Sequence, residues 1–476
     1  MTRRRAHARQ LAVWMNGEKV GEWRGGPTAR TEFMYDDSWW ASRNARPLSL
    51  SMPRLPGNVA HRGEHVTAWF ENLLPDSPTI RERIRTRFRT ATTDAIDLLE
   101  AIGRDCVGAV QLLPADASPP SSQRIEADPL SETEVATMLR NVTSGTPLGA
   151  KAAHAAPLRI SIAGAQEKTA LLRHEHRWCQ PSGTTPTTHI FKLPLGLIGN
   201  IRANMKDSVE NEWLCLQLLS RWGLPAANAE LAHFRDDVSD ESVLIVERFD
   251  RAWATRQDDS PWITRLPQED LCQALGRSRD DKYEADGGPG IQEILELLAR
   301  GTNPKNDTRL FVLAQLAGWL LAAPDGHAKN YSIFLNANGY TLTPLYDVLS
   351  AWPIIGPGPN EWAEQDVEVA IGVRRTKTLE RSLRRISTSH WKALAIRTGI
   401  PGMFEAMEHL VDRADTAFDQ IAPTLPKDFP DSVWHRIRKG VQTQCEKFRI
   451  GATALSNVRT GQVGNLRETE GLSNQD

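Results

Sequence analysis

Cysteine is scarce and scattered: five in 476 residues, at Cys106, Cys179, Cys215, Cys272 and Cys445. No CxxC pair occurs, so neither a zinc-knuckle pattern nor a disulfide framework is indicated. Long apolar runs are missing as well. The most apolar stretch without charge, Leu310 to Pro324, falls short of the ~20 residues a membrane span needs. After Met1-Thr2-Arg3-Arg4-Arg5, the apolar segment Leu11–Met15 is too short for the core of a signal peptide. Nor is one charge in excess. Lys+Arg 57 against Asp+Glu 59 leave −2, which excludes a polycation but not a local basic patch. What remains, 40% apolar and 24% charged residues, is ordinary globular usage. It excludes collagen-like, coiled-coil and wholly disordered classes. At roughly 150 residues per domain, the length predicts about three units. The expectation is a reduced, cytoplasmic, soluble chain with no membrane partner. The 15 tryptophans run from Trp14 to Trp434 without clustering and read as core and groove packing.

Along the chain, residues 11–24 alternate around Asn16-Gly17 and predict a hairpin. Val66–Leu74 has helical periodicity that Pro75-Asp76 stops, and an arginine-rich helix is expected over 81–89. Residues 97–113 return to apolar periodicity and then strand. The Pro-, Ser- and Ala-rich stretch 114–129 marks a boundary. Beyond it, strands are expected at Leu158–Ile162, Thr169–Leu172, His189–Leu193 and Glu241–Phe249. Asp207 and Glu210 form a capping-box pattern for a helix running to Trp222. The chain is mostly helical after Pro267, apart from a hairpin around Asn336-Ala337-Asn338-Gly339. After Ala452 the sequence is polar, and disorder is expected.

The polar residues of the second region come in a telling order. First is a small-residue loop, Ala163-Gly164-Ala165-Gln166-Glu167-Lys168. Then Lys192 interrupts an apolar strand, and a helix carries Glu210 and Glu212. A buried strand ends at Glu247-Arg248-Phe249. Much later come Asp325-Gly326-His327-Ala328-Lys329-Asn330 and, after a hairpin, Tyr346-Asp347. A phosphotransferase needs this order. Small residues let backbone N–H groups approach phosphates, a strand lysine meets them, and a strand edge offers donors and acceptors to adenine. An Asp then positions a hydroxyl, while an Asn five residues on and a later Asp hold Mg²⁺. Taken singly the pieces are weak. The loop has neither GxGxxG nor a P-loop, Lys192 could snorkel, and Asp325 and Asn330 could be turn caps.

The segments ISIAGAQEKTALL (160–172), TPTTHIFKLPLG (185–196), ERFDR (247–251), RLPQEDLCQALG (265–276), KYEADGGPGI (282–291) and DGHAKNYSIF (325–334) resemble the HipA family. So do ARPLSLSMP (45–53), WFENLLPDSP (69–78) and AIGRDCVGAVQL (101–112). The resemblance spans about 11 to 450. It implies a bilobal, protein-kinase-like α/β (α+β) fold: an N-terminal accessory module (1–113), a linker and connecting helix (114–157), a small lobe (158–264), a helical large lobe (265–451) and a disordered tail (452–476). It also implies an ATP- and Mg²⁺-dependent serine/threonine kinase toxin, restrained by a HipB-like helix-turn-helix antitoxin with which it co-represses at operator DNA. The family precedent for substrate is a translation component, glutamyl-tRNA synthetase. By position, Ala163–Lys168 would be the phosphate loop, Lys192 the phosphate-contacting lysine and Glu247–Phe249 the adenine hinge. Asp325 would be catalytic, and His327, Ala328, Lys329, Asn330, Tyr346 and Asp347 nucleotide or metal contacts, with Asn330 and Asp347 holding the metal. Ser161 matches the serine that family members autophosphorylate. Glu212 is preferred to Glu210 as the partner of Lys192. The competing class is a nucleotide-binding co-repressor without catalysis, against which the retention of Lys192, Asp325, Asn330 and Asp347 argues.

Arg374, Arg375, Lys377, Arg381, Arg384 and Arg385 fall close together with only Glu380 against them. They read either as a solvated helix face or as a contact to DNA phosphates. His61-Arg62-Gly63-Glu64-His65 fits an H-x-x-E-H zinc motif, but a central glycine and a preceding PRLPG argue against the firm helix that zinc chemistry needs.

Overall fold

Asn16 and Gly17 both take left-handed φ (47° and 88°), as a two-residue hairpin turn requires. They pair Arg9–Met15 with Glu18–Gly25 in antiparallel register. The protein is described by a computed structural model over residues 9–25, 31–121, 123–143, 166–198, 202–238 and 240–470. The first hairpin seeds a five-stranded sheet, ordered His61–Arg62, Glu32–Tyr35, Glu18–Gly25, Arg9–Met15, Val110–Pro114. Trp23 stacks on Phe70 at 3.9 Å and brings the helix Glu64–Glu71 onto this sheet. Pro78–Phe88 follows, with Ser77 accepting the Ile80 N–H and proline in its first turn, where a missing N–H costs nothing. His61 thus lies in a strand and His65 in a helix, not on one helical face.

A second sheet has six antiparallel strands in the order Ala229–Arg235, Asp240–Glu247, His189–Lys192, Lys168–His174, Arg177–Pro181, Ala127–Pro129. The segment expected to be a linker therefore supplies its edge strand. The helix Glu132–Thr143 packs Val135, Ala136 and Leu139 against Leu171, Phe191 and Ile245. Part of 114–157 thus belongs to the small lobe, because those three residues give the helix an apolar face to bury. Leu158–Ile162 lies outside the described residues.

The large lobe centres on Pro304–Leu320, whose Phe311, Leu316 and Trp319 are buried. Ser208–Arg221, Thr388–Arg397, Met403–Ile421 and Asp431–Glu470 share its core. Trp39, Trp69, Trp319 and Trp391 are fully buried, in line with a packing role for tryptophan, whereas Trp253 is 52% exposed. Three local expectations fail. Asp207 makes no capping hydrogen bond, and Glu210 instead accepts one from Ser242 at 3.0 Å. The basic stretch is no helix: Glu368–Arg374 and Leu379–Ser382 form a hairpin, with Arg384 and Arg385 just beyond it. The disorder expected from 452 gives way to a helix that runs to Glu470. Low hydrophobicity argues against a packed core, not against helix, and Ala452, Ala454 and Leu455 are good helix formers.

Candidate active site

Lys192 sits on an inner strand of the small-lobe sheet, directly across from Lys168 in the neighbouring strand. Its side chain is buried, and its ammonium donates to Glu212 Oε1 at 2.6 Å and to Asp347 Oδ1 at 2.8 Å. Burial disfavours the ammonium, but Asp347 and Glu212 more than offset this and hold its pKa above the usual lysine range. For Glu212, only 1% exposed, burial outweighs Lys192 and pushes the carboxyl up. For Asp347 the balance reverses. Burial opposes its charge, yet Lys192 and then Lys168 hold it well below the carboxylate range. Lys168 itself is brought down to about 8, chiefly by burial, with Asp347 opposing.

Asp347 is held in a left-handed backbone conformation, φ 58°. Such a conformation is uncommon outside glycine, though Asp tolerates it better than most residues. It is held from behind: Leu345 accepts from Ala227 N and donates to Pro225 O, both at 2.8 Å. Tyr346, packed at 5.6 Å from Phe249, donates its hydroxyl to the Lys329 carbonyl at 2.9 Å.

The segment 325–330 closes the site. Asn330 Nδ2 donates to the Asp325 carbonyl at 2.5 Å and lies 3.5 Å from the Asp347 carbonyl. These bonds fix the amide orientation, so its oxygen is the free end. Asp325 keeps half of its side chain (51%) exposed and accepts a hydrogen bond from Tyr283. His327 Nε2 lies 3.6 Å from Asp325 Oδ1, and burial lowers the imidazole pKa. Asp325, Asn330, Tyr346 and Asp347 line one pocket.

At the expected hinge, Glu247 ends its strand and Phe249 packs against Tyr346 and Phe334. Arg248 turns elsewhere. It donates to Asp250, Asp105, Thr187 and the Cys106 carbonyl in a buried cluster, which leaves its side chain none to offer a nucleotide. Of the residues expected to form the phosphate loop, Gln166 donates to the Leu193 carbonyl at 2.5 Å and Glu167 accepts from Arg83. Ser161, Ala163, Gly164 and Ala165 lie outside the described residues.

Hard oxygen donors suit Mg²⁺, which is commonly held by one or two protein groups together with substrate phosphates. The Asp347 carboxylate and the Asn330 amide oxygen are such a pair. Among the described residues no group of three or more His, Cys, Asp or Glu could hold a metal alone. The buried Lys192 and the half-buried Lys168 are cations that suit a polyphosphate, so both ligands fit the residues present. Asp76 and Tyr283 belong to the same neighbourhood and were not singled out from the sequence. Asp76 accepts from Lys329 at 2.6 Å and Lys282 at 2.9 Å. Asp76 lies in the family-like segment WFENLLPDSP, but nothing local assigns it a chemical role, because its partners lie more than 200 positions away.

Residues 11–113 match the family model described as HipA N-terminal domain, and residues 160–421 the one described as HipA-like C-terminal domain. A Sinorhizobium fredii protein named "Putative kinase Y4mE" is 29% identical over 426 residues, 88% of this chain and 92% of its own length. The Serine/threonine-protein kinase toxin HipA of Shewanella oneidensis is 28% identical over 361 residues, 71% of this chain and 75% of its own. The fold is also similar to that of HipA in the Shewanella oneidensis MR-1 structure of HipA, HipB and operator DNA. That match has a TM-score of 0.73 at 23% identity and covers 92% of this chain and 97% of the other. With the C-terminal match alone covering more than half of its length, the chain belongs to the HipA family.

Proposed function

We propose that the chain is an ATP- and Mg²⁺-dependent serine/threonine protein kinase acting as the toxin of a toxin–antitoxin module. The observation that carries this reading is the Lys192–Glu212–Asp347 triad, buried at Lys192 and Glu212 and partly open at Asp347, facing the half-exposed Asp325. Lys192 and Lys168 would hold the nucleotide phosphates, and Asn330 and Asp347 the metal, whose chemistry is to neutralise developing charge. Asp325 orients the attacking hydroxyl and accepts its proton. Few groups suffice, because phosphoryl transfer rests on positioning and electrostatics.

Ser161 is the proposed autophosphorylation site. A phosphate there adds about −1.5 to −2 charges next to the nucleotide phosphates and switches the kinase off. The proposed partner is a HipB-like antitoxin, with operator DNA in the same complex, and the proposed substrate class is a protein of translation such as glutamyl-tRNA synthetase. The exposed Arg374, Arg375, Lys377 and Arg384 support a role in phosphate contact. Arg381 and Arg385 already pair with Glu368 and Glu380, so they have less to offer.

Purified chain with Mg·ATP, followed by phosphosite mapping, tests the reading. The wild type should label Ser161 and a protein substrate, and Asp325→Ala should lose at least about a hundredfold of the rate. If the wild type labels nothing and Asp325→Ala binds antitoxin and operator equally well, the co-repressor reading takes its place.

A further inference from the structure

The kinase reading makes the N-terminal module an accessory, yet one of its carboxylates enters the site. Asp76 stands in the turn between the helices Glu64–Glu71 and Pro78–Phe88. Its Oδ1 accepts from Lys329 Nζ at 2.6 Å and its Oδ2 from Lys282 Nζ at 2.9 Å. All three side chains are largely buried, Lys329 to 4% exposure. Each lysine adjoins a residue of the proposed chemistry. Lys329 immediately precedes Asn330, and its carbonyl accepts the Tyr346 hydroxyl. Lys282 immediately precedes Tyr283, whose hydroxyl donates to Asp325, and its carbonyl accepts the Ala328 N–H at 3.2 Å. One carboxylate thus ties together the two segments that converge on Asp325.

Charge counting shows why the contact matters. Two ammonium groups with little solvent share this one carboxylate, and an unpaired buried charge is costly. The nearby carboxylate Asp270 attracts Lys329 from beyond ion-pair distance and caps Gln273 N at 2.8 Å, so Asp76 remains the carboxylate in direct contact with both lysines. The next helix of the module makes a second contact of opposite sense, where its Arg83 donates to Glu167 of the phosphate-loop segment.

We propose that Asp76 is a positioning residue of the phosphotransfer site, through which the N-terminal module sets the geometry of the catalytic segment 325–330. The proposal rests on the kinase reading for its effect on rate, but not for its effect on the loop.

The test uses the full chain as wild type, Asp76→Asn, Asp76→Glu and Asp325→Ala. Three quantities are measured: ATP-binding stoichiometry, kcat and KM for ATP per competent site, and amide exchange over 325–331. Asp76→Asn should lower kcat per site by about 10- to 100-fold, since a misplacement near 1 Å costs that much. KM for ATP should stay within about threefold, because Asp76 pairs with Lys329 and Lys282 and not with Lys168 or Lys192, the lysines proposed to hold the phosphates. Exchange over 325–331 should rise while the core of Pro304–Leu320 stays protected. Asp76→Glu keeps the charge and moves it by one methylene. It guards against a folding failure and should show the same split at about 3- to 10-fold.

Unchanged kcat and unchanged exchange in both variants overturn the proposal. So does a loss confined to the number of ATP-competent sites, which is what a merely structural role gives. If Asp325→Ala abolishes transfer while the Asp76 variants match the wild type, the kinase reading stands and the positioning role falls. If the wild type transfers nothing yet Asp76→Asn loosens 325–331, the kinase reading falls and the positioning of the loop stands.

Discussion

Lys168 and Lys192 face each other across two strands yet titrate in opposite directions. Lys192 has Glu212 and Asp347 in direct contact and is held charged. Lys168 feels burial first, and its pKa falls to about 8. A lysine lowered this far is mostly charged at pH 7 and mostly neutral at pH 9. If it helps bind nucleotide phosphates, ATP binding takes up a proton above pH 8, and affinity falls by up to about tenfold per pH unit there. Titration calorimetry of Mg·ATP from pH 7 to 9.5 should show that fall in the wild type and a flat profile in Lys168→Arg. A flat wild-type profile removes Lys168 from the site. At this scale the sequence is informative where chemistry repeats in order. Lys192, Asp325, Asn330 and Asp347 stand out because each interrupts or ends an element that physics would otherwise make apolar. Asp76 does not, since a carboxylate after Leu74-Pro75 looks like any turn residue until Lys329, 253 positions away, is seen beside it.

Elements were legible where periodicity was strong and illegible where a tertiary neighbour decided. The hairpin at Asn16-Gly17 needed only its turn chemistry. The basic hairpin at 368–382 hides its period because Gly372 lies against Leu379 and Arg381, where a Cβ would come within 2.7 and 2.8 Å. The helix Asp431–Glu470 carries a similar signature in Gly440, a residue that sequence rules count as helix-weakening. Its missing side chain makes room for the Trp352 indole, since a Cβ there would sit 2.2 Å from the ring. That indole is anchored by its own N–H to the Leu320 carbonyl at 2.9 Å, so it cannot easily move aside. Gly440→Ala should therefore gain about 0.8–1 kcal/mol in helix propensity and lose about 1–3 kcal/mol to overpacking. The expected outcome in denaturant unfolding is net destabilisation, and a stabilised variant would mean that the indole does shift.

At the scale of the whole molecule, the N-terminal module and the two lobes meet in a buried charge cluster. Asp105 of the module accepts from Thr187 N and Oγ1 at 3.0 and 2.6 Å, and from Arg251 at 2.9 Å and Arg248 at 3.3 Å. Arg265 lies 3.4 Å away. Asp250 holds the other side of Arg248 and receives the Gly108 N–H at 2.7 Å. Gly108, at φ +72°, passes so close to the Gln268 carbonyl that a Cβ would lie 2.6 Å from it, which shows how tightly the module is seated. Burial would raise the Asp105 pKa, but Arg251, Arg248 and Arg265 outweigh it and keep the carboxylate charged far below neutral pH. Three guanidinium groups against two carboxylates leave the cluster one positive charge in excess, with Asp105 at its centre. Asp105→Asn keeps the shape and removes the charge, so three buried cations then share Asp250 alone. Breaking a buried ion pair from one side costs about 3–5 kcal/mol, far more than an exposed pair would. Because Arg248 also belongs to the strand end proposed as the adenine hinge, the damage should reach the cleft. The expected result is a loss of that size in denaturant unfolding, together with a several-fold rise in KM for ATP. Asp105→Asn with wild-type stability would show that Asp250 and water suffice to hold the three arginines, and that the module and the hinge are not coupled through this cluster.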